Sequence, residues 1–479
     1  MTAINKAYKL SIDNIKGRLL GKHQHIGVKW MLEQELESDV PGGLLADDCG
    51  CGKTYMMTCV IRGNIVEPTL IVTVVSVLHQ WRDIMSSFGG INPLVITSDC
   101  ALRSVPSGVG VVLTTYSSFT PKGKKGVISG IFKNTAWGRV VLDEGHVAKN
   151  PKSMTMKNLT KINSRIRWVL TATPVQNSLS DLDTLAHWIG WTGCMDEFTD
   201  EKMLRRTLTQ EGEKNPRLKL PNLQSEVVTL DFQRDEEKAV YKRIEEEFKT
   251  RIERTSEGCR LYSEALQGIL RCRQACAHWK LIESYEGSGS KRKRSHVEEG
   301  AVVELSSKFK FICDDIVSHP QEKVLVFGTW TLELNLLVAA LDGMGIAAMK
   351  FDGGMTKEAR ENTLYNFREA NGIRVLVVQI QSGGVGLNLQ CATRIYITSP
   401  TWNPTHEIQA ISRSHRLGQT QVVKCFRLAI RDTIEERMLE IQNQKMAIIA
   451  DALNDDDLMS KLETVDAMDI KALFVGATK

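Results

Sequence analysis

The stretch LLADDCGCGKT at residues 44–54 combines residue types that bind phosphate groups. Gly50 and Gly52 allow backbone N–H groups to wrap a phosphate, and Lys53 can neutralise its charge. The Thr54 hydroxyl that follows can ligate Mg²⁺. The strict G-x-x-x-x-G-K-[ST] pattern requires glycine where this chain has Asp47, so the pattern is met only in part. A lone G-K-T in a loop also occurs by chance.

An acidic pair follows later, in the segment VVLDEGH at residues 140–146. Asp143 and Glu144 come at the end of an apolar run that reads as a buried strand. There, Asp143 can hold Mg²⁺ and Glu144 can orient and deprotonate an attacking water. Alone, such a pair also fits a solvated turn between a strand and a helix. Together with the phosphate loop, it predicts hydrolysis of ATP.

Two arginines lie near the end of the chain, in QAISRSHRLGQT at residues 409–420. Arg413 and Arg416 are three residues apart, which predicts one face of a helix, beside Gln409 and His415. Two guanidinium groups directed at one anion suit the γ-phosphate of ATP, as arginine fingers supplied by a second lobe. The alternative for this segment is an exposed basic helix.

Short apolar, β-branched runs predict the elements that position these residues. Runs that are apolar on both faces and widely spaced are typical of buried strands in a parallel sheet. One set precedes residue 225, at residues 70–75, 109–113, 139–142 and 168–170, and a second follows residue 305, at residues 324–327, 374–378, 394–397 and 422–428. The prediction is an α/β fold with two parallel sheets, each doubly wound.

The predicted domains are a first lobe at residues 1–225, a helical protrusion with a basic loop at residues 226–305, and a second lobe at residues 306–479. Val240, Ile244, Phe248 and Ile252 repeat at helical spacing and predict an amphipathic helix starting near Asp235. The Gly-, Ser- and charge-rich residues 286–300 predict a flexible loop. The C-terminal segment TIEERMLEIQNQKMAIIADAL predicts a helix that braces the second lobe.

Composition limits the alternatives. The chain has 479 residues and a formal net charge of +4, so a nucleic-acid surface must be a local patch. Its 11 cysteines include no C-x-x-C pair, so we expect no zinc site and reduced thiols in a cytosolic or nuclear compartment. An apolar run of membrane-spanning length is absent from the sequence, and we expect neither secretion nor membrane insertion.

Taken in order, these motifs resemble the SWI/SNF-type chromatin-remodelling ATPases of helicase superfamily 2 over nearly the whole chain. HQHIGVKWM resembles the nucleotide-sensing Gln block, TLIVTVVSVLHQW motif Ia, VVLTTYSSF motif Ib and LTATPVQN motif III. KVLVFGTW resembles motif IV and QIQSGGVGLNL motif V, followed by SPTWNP and QAISRSHRLGQ. MLRRT, ILRCRQACAH, HRLGQT and MDIKALF are most similar to the branch of helicase-like transcription factor and transcription termination factor. The short KRKR loop stands where many members insert a zinc-binding RING domain, so ubiquitin-ligase activity is not expected.

The resemblance implies an α/β fold of two tandem RecA-like, doubly wound parallel-sheet lobes with helical protrusions. It also implies ATP and Mg²⁺ as cofactors, with Thr54 and Asp143 holding the metal. The catalytic set it implies is Lys53, Asp143, Glu144, Arg413 and Arg416. Gln24 would read the base. The remaining nucleotide contacts it implies are Asp47, Asp48, Cys49, Gly50, Cys51, Gly52, Gly386 and Gln409.

The resemblance also implies a groove for double-stranded DNA. Small hydroxyls, amides and backbone N–H groups suit phosphate contacts that read no sequence. The implied residues are Ser76, Gln80, Thr114, Thr115, Trp330, Ser382, Gly383 and Trp402. For each there is a structural alternative, since a Ser or Thr after a strand is often a helix cap and Trp330 among apolar neighbours suits a core.

Several positions depart from the family pattern. Asp48, Cys49, Cys51, Ala172 and Ser412 replace other residues without removing a group expected to touch phosphate, metal or water. Val74 and Thr401 replace a usual proline and tryptophan, and we expect both to weaken coupling to DNA.

The leading hypothesis is therefore a DNA-dependent ATPase that translocates on duplex DNA and displaces nucleosomes or a stalled polymerase, in transcription or repair. A strand-separating helicase, an RNA-directed ATPase and an inactive DNA-binding scaffold remain alternatives. We expect a nuclear monomer, in a host nucleus if viral, since the chain also resembles compact viral transactivator-like ATPases. The KRKR run suits either nuclear import or a non-specific phosphate patch.

Overall fold

A computed structural model of the chain describes residues 2–453, apart from residues 18, 20, 97–101, 121–127, 177–178, 216–218, 255–258, 287–302, 370–371 and 384–386. The chain divides into two compact units, the first formed by residues 1–220 and the second by residues 221–450. The predicted basic loop at residues 286–300, including the KRKR run, and the MDIKALF segment lie essentially outside the described residues.

The first unit alternates strands and helices along the chain. Its strands are β1 Gly42–Leu45, β2 Thr69–Thr73, β3 Leu94–Val95, β4 Val111–Thr115, β5 Trp137–Asp143, β6 Ser164–Leu170 and β7 Met203–Leu204. Its helices are α1 Ala3–Asp13, α2 Lys22–Leu36, α3 Lys53–Gly63, α4 Leu78–Ser87, α5 Gly130–Asn134, α6 Met154–Thr160, α7 Ser180–Ile189, α8 Met195–Glu201 and α9 Leu208–Lys214, with 3-10 turns at Tyr116–Phe119 and Gly145–Ala148.

The seven described strands of this unit form one parallel sheet in the order β3-β4-β2-β5-β6-β1-β7. Leu70 lies between Val112 and Val140 in register, and all three side chains are fully buried. Both faces of the sheet are apolar because helices cover them, which explains why these strands are continuous hydrophobic runs in the sequence. The carboxyl ends of β1, β2 and β5 meet at one edge of this sheet.

The second unit is built in the same way. Its strands are β8 Leu223–Leu230, β9 Val324–Gly328, β10 Ala348–Phe351, β11 Val375–Gln379, β12 Arg394–Ile397 and β13 Val423–Ile430. Its helices are α10 Asp235–Arg254, α11 Cys259–Ala277, α12 Lys280–Glu286, α13 Ser307–Ser318, α14 Thr331–Gly343, α15 Lys357–Glu369, α16 Ile380–Gly383, α17 Pro404–Ile411 and α18 Ile434–Leu453.

Its described strands also pair in parallel, in the order β10-β11-β9-β12-β13-β8. The predicted fold class, two parallel-sheet α/β lobes, is confirmed. The strand β8 pairs with β13 over its full length, from Leu223 opposite Val423 to Leu230 opposite Ile430. The second unit therefore takes in residues 221–225, the last residues of the predicted first lobe.

The helices that follow β8 in the chain pack within the second unit. The helix α10 begins at Asp235, as its periodicity predicts, and buries Tyr241, Ile244 and Phe248. These side chains share one apolar cluster with Met438 and Ile441 of α18. The two helices thus support each other beside the second sheet.

Candidate active site

The loop between β1 and α3 has the backbone shape of a phosphate loop. Gly50 and Gly52 have φ angles of 95° and 86°, in the left-handed region that favours glycine. A Cβ atom on Gly52 would lie 2.2 Å from the side-chain nitrogen of Gln24, so a larger residue does not fit there. The loop ends at the N-terminus of α3, where unpaired N–H groups attract anions.

Lys53, the first residue of α3, is held inside the curve of this loop. Its ammonium donates to the carbonyls of Asp47, at 2.6 Å, and Asp48, at 3.0 Å. Burial lowers the pKa of Lys53, but its electrostatic interactions with Cys49, Glu144, Cys51 and Asp47 outweigh burial and raise the pKa above its ordinary value. The side chain therefore carries its positive charge at the loop, with Thr54 directly after it and half-buried.

Asp143 ends β5 and is buried. Its carboxylate accepts hydrogen bonds from the Thr73 hydroxyl, at 2.8 Å, and the Trp81 indole N–H, at 2.6 Å. Burial and the charge of Glu144 raise the pKa of Asp143 to about 6, while these two hydrogen bonds and the charge of Lys53 lower it. The lysine of the phosphate loop and the acidic pair therefore lie close enough to influence each other electrostatically.

Glu144 has a left-handed backbone, with φ of 52°, which is uncommon for a residue with a side chain. Its carboxylate lies 3.4 Å from Nδ1 of His146, and the same nitrogen lies 3.1 Å from the Thr171 hydroxyl. The Tyr116 hydroxyl donates to the carbonyl of Asp143 at 2.9 Å. The strained turn is thus held by the contact of Glu144 with His146 and by the hydrogen bond from Tyr116.

The base-reading residue predicted from the sequence contacts the phosphate loop. The side-chain nitrogen of Gln24, near the start of α2, donates to the carbonyl of Cys51 at 3.1 Å, and Nε2 of His23 lies 3.1 Å from the same oxygen. The Cys51 side chain is buried, and burial raises the pKa of its thiol well above the usual range. Cys51 thus stays uncharged and gives the loop an apolar anchor.

The side chains of Asp47 and Asp48 face another part of the first unit. Asp47 forms a buried ion pair with Arg206, and Asp48 lies 3.7 Å from Arg205. Of the predicted nucleotide contacts, these two are therefore engaged by the MLRRT segment at residues 203–207. Sequence reasoning used that segment only to place the chain in a branch of the family.

The arginines of the second unit do not lie on a helix, which corrects the prediction from their spacing. The helix α17 ends at Ile411, and Arg413 and Arg416 occupy the turns that follow. After Ile411, the N–H groups of Arg413 and Ser414 bond three residues back, to Ala410 and Ile411, and the Ser412 hydroxyl donates to the Ile408 carbonyl at 2.7 Å. Arg413 is only 5% exposed, and Gln409, on α17, is 6% exposed.

The predicted DNA contacts of the first unit differ in exposure. Ser76 and Gln80 are exposed around the start of α4. The Thr114 hydroxyl is fully buried and hydrogen-bonded to the Ile96 carbonyl, at 2.9 Å, and to the Ser118 hydroxyl, at 2.8 Å. Thr114 thus packs inside the first unit in this structure, Thr115 is 7% exposed, and the DNA contact of each stays a prediction.

In the second unit, the two tryptophans predicted to contact DNA each lie next to a cation. The Arg273 guanidinium lies 5.3 Å from the ring centre of Trp330, and the Lys445 ammonium lies 4.9 Å from that of Trp402. The Ser382 hydroxyl donates to Gln379 at 3.0 Å. Gly383 ends α16. Gly386 lies outside the described residues.

Thr401, expected to weaken the coupling to DNA, is part of a buried polar network. Its backbone N–H and its hydroxyl both donate to the Glu407 carboxylate, at 2.7 Å and 2.9 Å. Glu407 also accepts from Arg427 at 2.8 Å and from Gln442 at 2.6 Å. The threonine is therefore integrated into the loop that carries Trp402.

The site residues missed by sequence reasoning are those that hold its charged groups. Thr73, Trp81, Tyr116, His146, Arg205 and Arg206 have this role. Thr73 and Trp81 lie in the block that resembles motif Ia. The sequence pattern of this block does not show that these two side chains bind Asp143.

Two family models match this chain in order, the SNF2-related domain over residues 23–200 and the Helicase conserved C-terminal domain over residues 307–418. Together they span more than half of the sequence and contain the phosphate loop, the acidic pair and both arginines. The chain belongs to the SWI2/SNF2 family. The resemblance deduced from the sequence motifs is thereby confirmed.

Curated relatives of this SNF2-family chain include repair and transcription proteins. It is 27% identical to DNA repair protein RAD5B of Arabidopsis thaliana, over 88% of this chain and 46% of the relative. It is also 27% identical to Helicase-like transcription factor of Homo sapiens, over 80% of this chain and 50% of the relative. The chain thus spans about half the length of these relatives.

A viral relative is of similar length. The chain is 27% identical to the Probable global transactivator of Orgyia pseudotsugata multicapsid polyhedrosis virus, over 91% of this chain and 93% of the relative. Among solved structures, it is similar to the Sulfolobus solfataricus SWI2/SNF2 ATPase core in complex with dsDNA, with a TM-score of 0.40 and 23% identity over 95% of this chain and 98% of that chain.

Helices in the described part of the chain are too short or too polar to cross a membrane.

Proposed function

We propose that this SNF2-family chain hydrolyses ATP with Mg²⁺ in response to double-stranded DNA. The observation that carries the proposal is the charge arrangement in the first unit. A half-buried, protonated Lys53 sits in a glycine-shaped loop, where Glu144 raises the pKa of Lys53 and Lys53 lowers the pKa of Asp143. A cation at a helix N-terminus beside two carboxylates suits a nucleotide phosphate with its metal.

The residues present fit Mg²⁺. Asp143 is a buried carboxylate whose pKa lies well above its ordinary value, so a divalent cation nearby would favour its charged form. Thr54 supplies a hydroxyl at the start of α3. When bound, the metal would neutralise charge that develops on the phosphates.

In this proposal the chain's own residues divide the remaining work. Lys53 holds the phosphates, Gln24 contacts the base, and Glu144 orients and deprotonates the attacking water. The His146 ring beside Glu144 and Thr171 keeps that carboxylate in place. Arg413 and Arg416 are the second unit's contribution to hydrolysis.

We further propose that hydrolysis drives movement along duplex DNA and displaces proteins bound to it. The named relatives act in DNA repair or transcription, which supports this class of function. The exposed side chains of Ser76 and Gln80 suit contacts to phosphates that read no sequence. A nuclear monomer acting on chromatin or a stalled polymerase fits this role.

The proposal is tested by steady-state ATP hydrolysis with duplex DNA, single-stranded DNA, RNA or no nucleic acid. We expect stimulation by duplex DNA above the other additions, and its absence would overturn the proposal. Translocation is tested separately by ATP-dependent displacement of a triplex-forming strand from duplex DNA. Release of that strand without opening of a forked duplex supports translocation, whereas opening of the fork would favour the strand-separating alternative.

A further inference from the structure

The MLRRT segment continues the sheet alongside the phosphate loop. Its strand β7 pairs with β1, with Leu45 opposite Leu204. The ladder then extends beyond both strands, because the N–H of Ala46 donates to Leu204 at 2.8 Å and the N–H of Asp48 donates to Arg206 at 3.0 Å. The first residues of the loop are therefore fixed from the side by residues about 160 positions later in the chain.

Arg206 extends this contact through its side chain. Its Nε donates to the Asp47 carboxylate at 3.0 Å, and one terminal nitrogen bonds the other oxygen, which makes the pair bidentate. The remaining terminal nitrogen donates to the carbonyl of His23, the residue before Gln24 on α2. One buried guanidinium thus joins the phosphate loop to the helix that carries the base-reading residue.

The packing around this guanidinium leaves no spare room. A Cβ atom on Gly27 of α2 would lie 2.8 Å from a terminal nitrogen of Arg206 and 2.6 Å from the Met56 sulfur on α3. The absence of a side chain at position 27 is therefore what lets Arg206 reach between α2 and α3. Arg205 acts on the other side of the loop, where it donates to the carbonyls of Ala46, at 2.9 Å, and Ala172, at 3.2 Å.

We propose that Arg206 is a positioning residue that holds the phosphate loop against helix α2 before the nucleotide binds, and thereby sets the affinity for ATP. This inference rests on the proposed function, because it concerns the same nucleotide site. Preorganisation lowers the entropy lost on binding, so loss of the clamp weakens binding more than it slows hydrolysis at saturation.

The decisive experiment compares Arg206→Met with the double variant Arg206→Met/Asp47→Leu. We expect the single variant to weaken binding of a fluorescent ATP analogue about tenfold and to raise KM by a similar factor, with kcat changed less than about threefold. The single variant also leaves Asp47 buried without its cation, so its Tm should fall. The double variant removes both charges, so its Tm should recover while its nucleotide affinity stays low.

Recovery of affinity together with Tm in the double variant would show that the pair serves folding alone and would overturn the proposal. Wild-type affinity in a folded Arg206→Met variant would overturn it as well. If Arg206→Met does not fold, Gly27→Ala provides the measurement, since it displaces the guanidinium without removing a charge. We expect a smaller loss of affinity in the same direction, and an unchanged affinity would contradict the proposal.

The matched control is Arg139→Met/Glu35→Leu, which removes a second buried pair from the same unit, one that contacts α2 near its other end. It should leave nucleotide affinity unchanged. Binding is measured without DNA or hydrolysis, so the two proposals fail separately. If the wild-type chain binds no nucleotide, the proposed function is wrong. If the wild type binds nucleotide and the Arg206 variants bind it equally well, only this inference is wrong.

Discussion

Helix α2 is tied to the first unit by a buried arginine at each end. Near its start, Arg206 joins the carbonyl of His23 to the carboxylate of Asp47. Near its end, Glu35 accepts two hydrogen bonds from Arg139 at 2.6 Å each, and further ones from Trp168 at 2.8 Å and Asn64 at 2.7 Å.

Two buried carboxylates of the first unit differ in how completely their charge is matched. Glu35 has a cation and two neutral donors, all on regular elements or their caps. Asp143, at the end of β5, has two neutral donors, and its pKa is raised to about 6. A buried carboxylate that has both a cation and neutral donors is typical of a structural role. A buried carboxylate without its own cation can still bind a charged ligand.

The largest effect expected from this comparison is at Lys53. Lys53→Ala removes the cation of the phosphate loop, so we expect ATP hydrolysis to fall by about a thousandfold or more, since transition-state charge loses its fixed partner. Tm should change little, because the lysine forms no buried ion pair with Asp47 or Asp48, only hydrogen bonds to their carbonyls. Steady-state hydrolysis and a thermal melt check both, and undiminished hydrolysis would refute the assignment of the loop.

Arg139→Met should give the opposite result. This change leaves the buried Glu35 carboxylate without its cation. We therefore expect the first unit to lose about 3–5 kcal/mol of stability, the usual result of removing one partner of a buried ion pair. KM for ATP should stay within about twofold of the wild type in the folded protein. Denaturant unfolding and ATPase kinetics test this. A large rise of KM at unchanged stability would contradict the view that Glu35 serves structure and not the nucleotide site.

Trp81→Phe removes one of the two donors to Asp143 and keeps an aromatic ring in the core. We expect a loss of about 1.5–3 kcal/mol, as for hydrogen bonds to charged groups, and a further rise of the pKa of Asp143. The acid limb of the pH–rate profile should therefore move to higher pH.

Trp137→Phe is the matched control for that variant, because the Trp137 indole donates to the Phe132 carbonyl and is not bonded to Asp143. It should lose stability without moving the acid limb. An equal shift of the acid limb in both variants would show that this limb does not report the titration of Asp143.

The smallest effect is a pH dependence of stability in the nucleotide-free protein. The pKa of Asp143 is about 6 in the folded chain and near 3.8 when unfolded, so the folded state takes up the proton first as pH falls. This group therefore adds stability on acidification, by about 1 kcal/mol between pH 7 and pH 5, and that stability is lost as pH rises through 6. Asp143→Asn should lack this gain when melts at the two pH values are compared, and an equal gain would contradict the shifted pKa.

The fold was predictable where strands are buried on both faces. The runs at residues 324–327 and 394–397 became β9 and β12 almost without change in their bounds. The sequence analysis did not predict β7 and β8. A two-residue strand such as β7 carries no pattern, and β8 reads LQSEVVTL, whose exposed Gln224 and Glu226 hide an edge strand paired on one side only.

The candidate site was predictable in its charged residues and not in what surrounds them. Lys53 and the Asp143–Glu144 pair belong to local patterns with a clear chemical reason. Arg206 meets Asp47 only because β7 lies beside β1, a pairing across about 160 residues that spacing cannot reveal. Spacing also misled, since Arg413 and Arg416 lie in turns and not on one helical face.

The strand β8 has a practical consequence for dividing the chain. A fragment that starts after Leu230 would remove the outer partner of β13 and leave unpaired the backbone N–H and C=O groups that β13 directs toward β8. Such an open edge invites pairing between copies, so the fragment should aggregate on expression. A cut made before Pro221 keeps the edge covered and is the division at which the second half has its complete sheet.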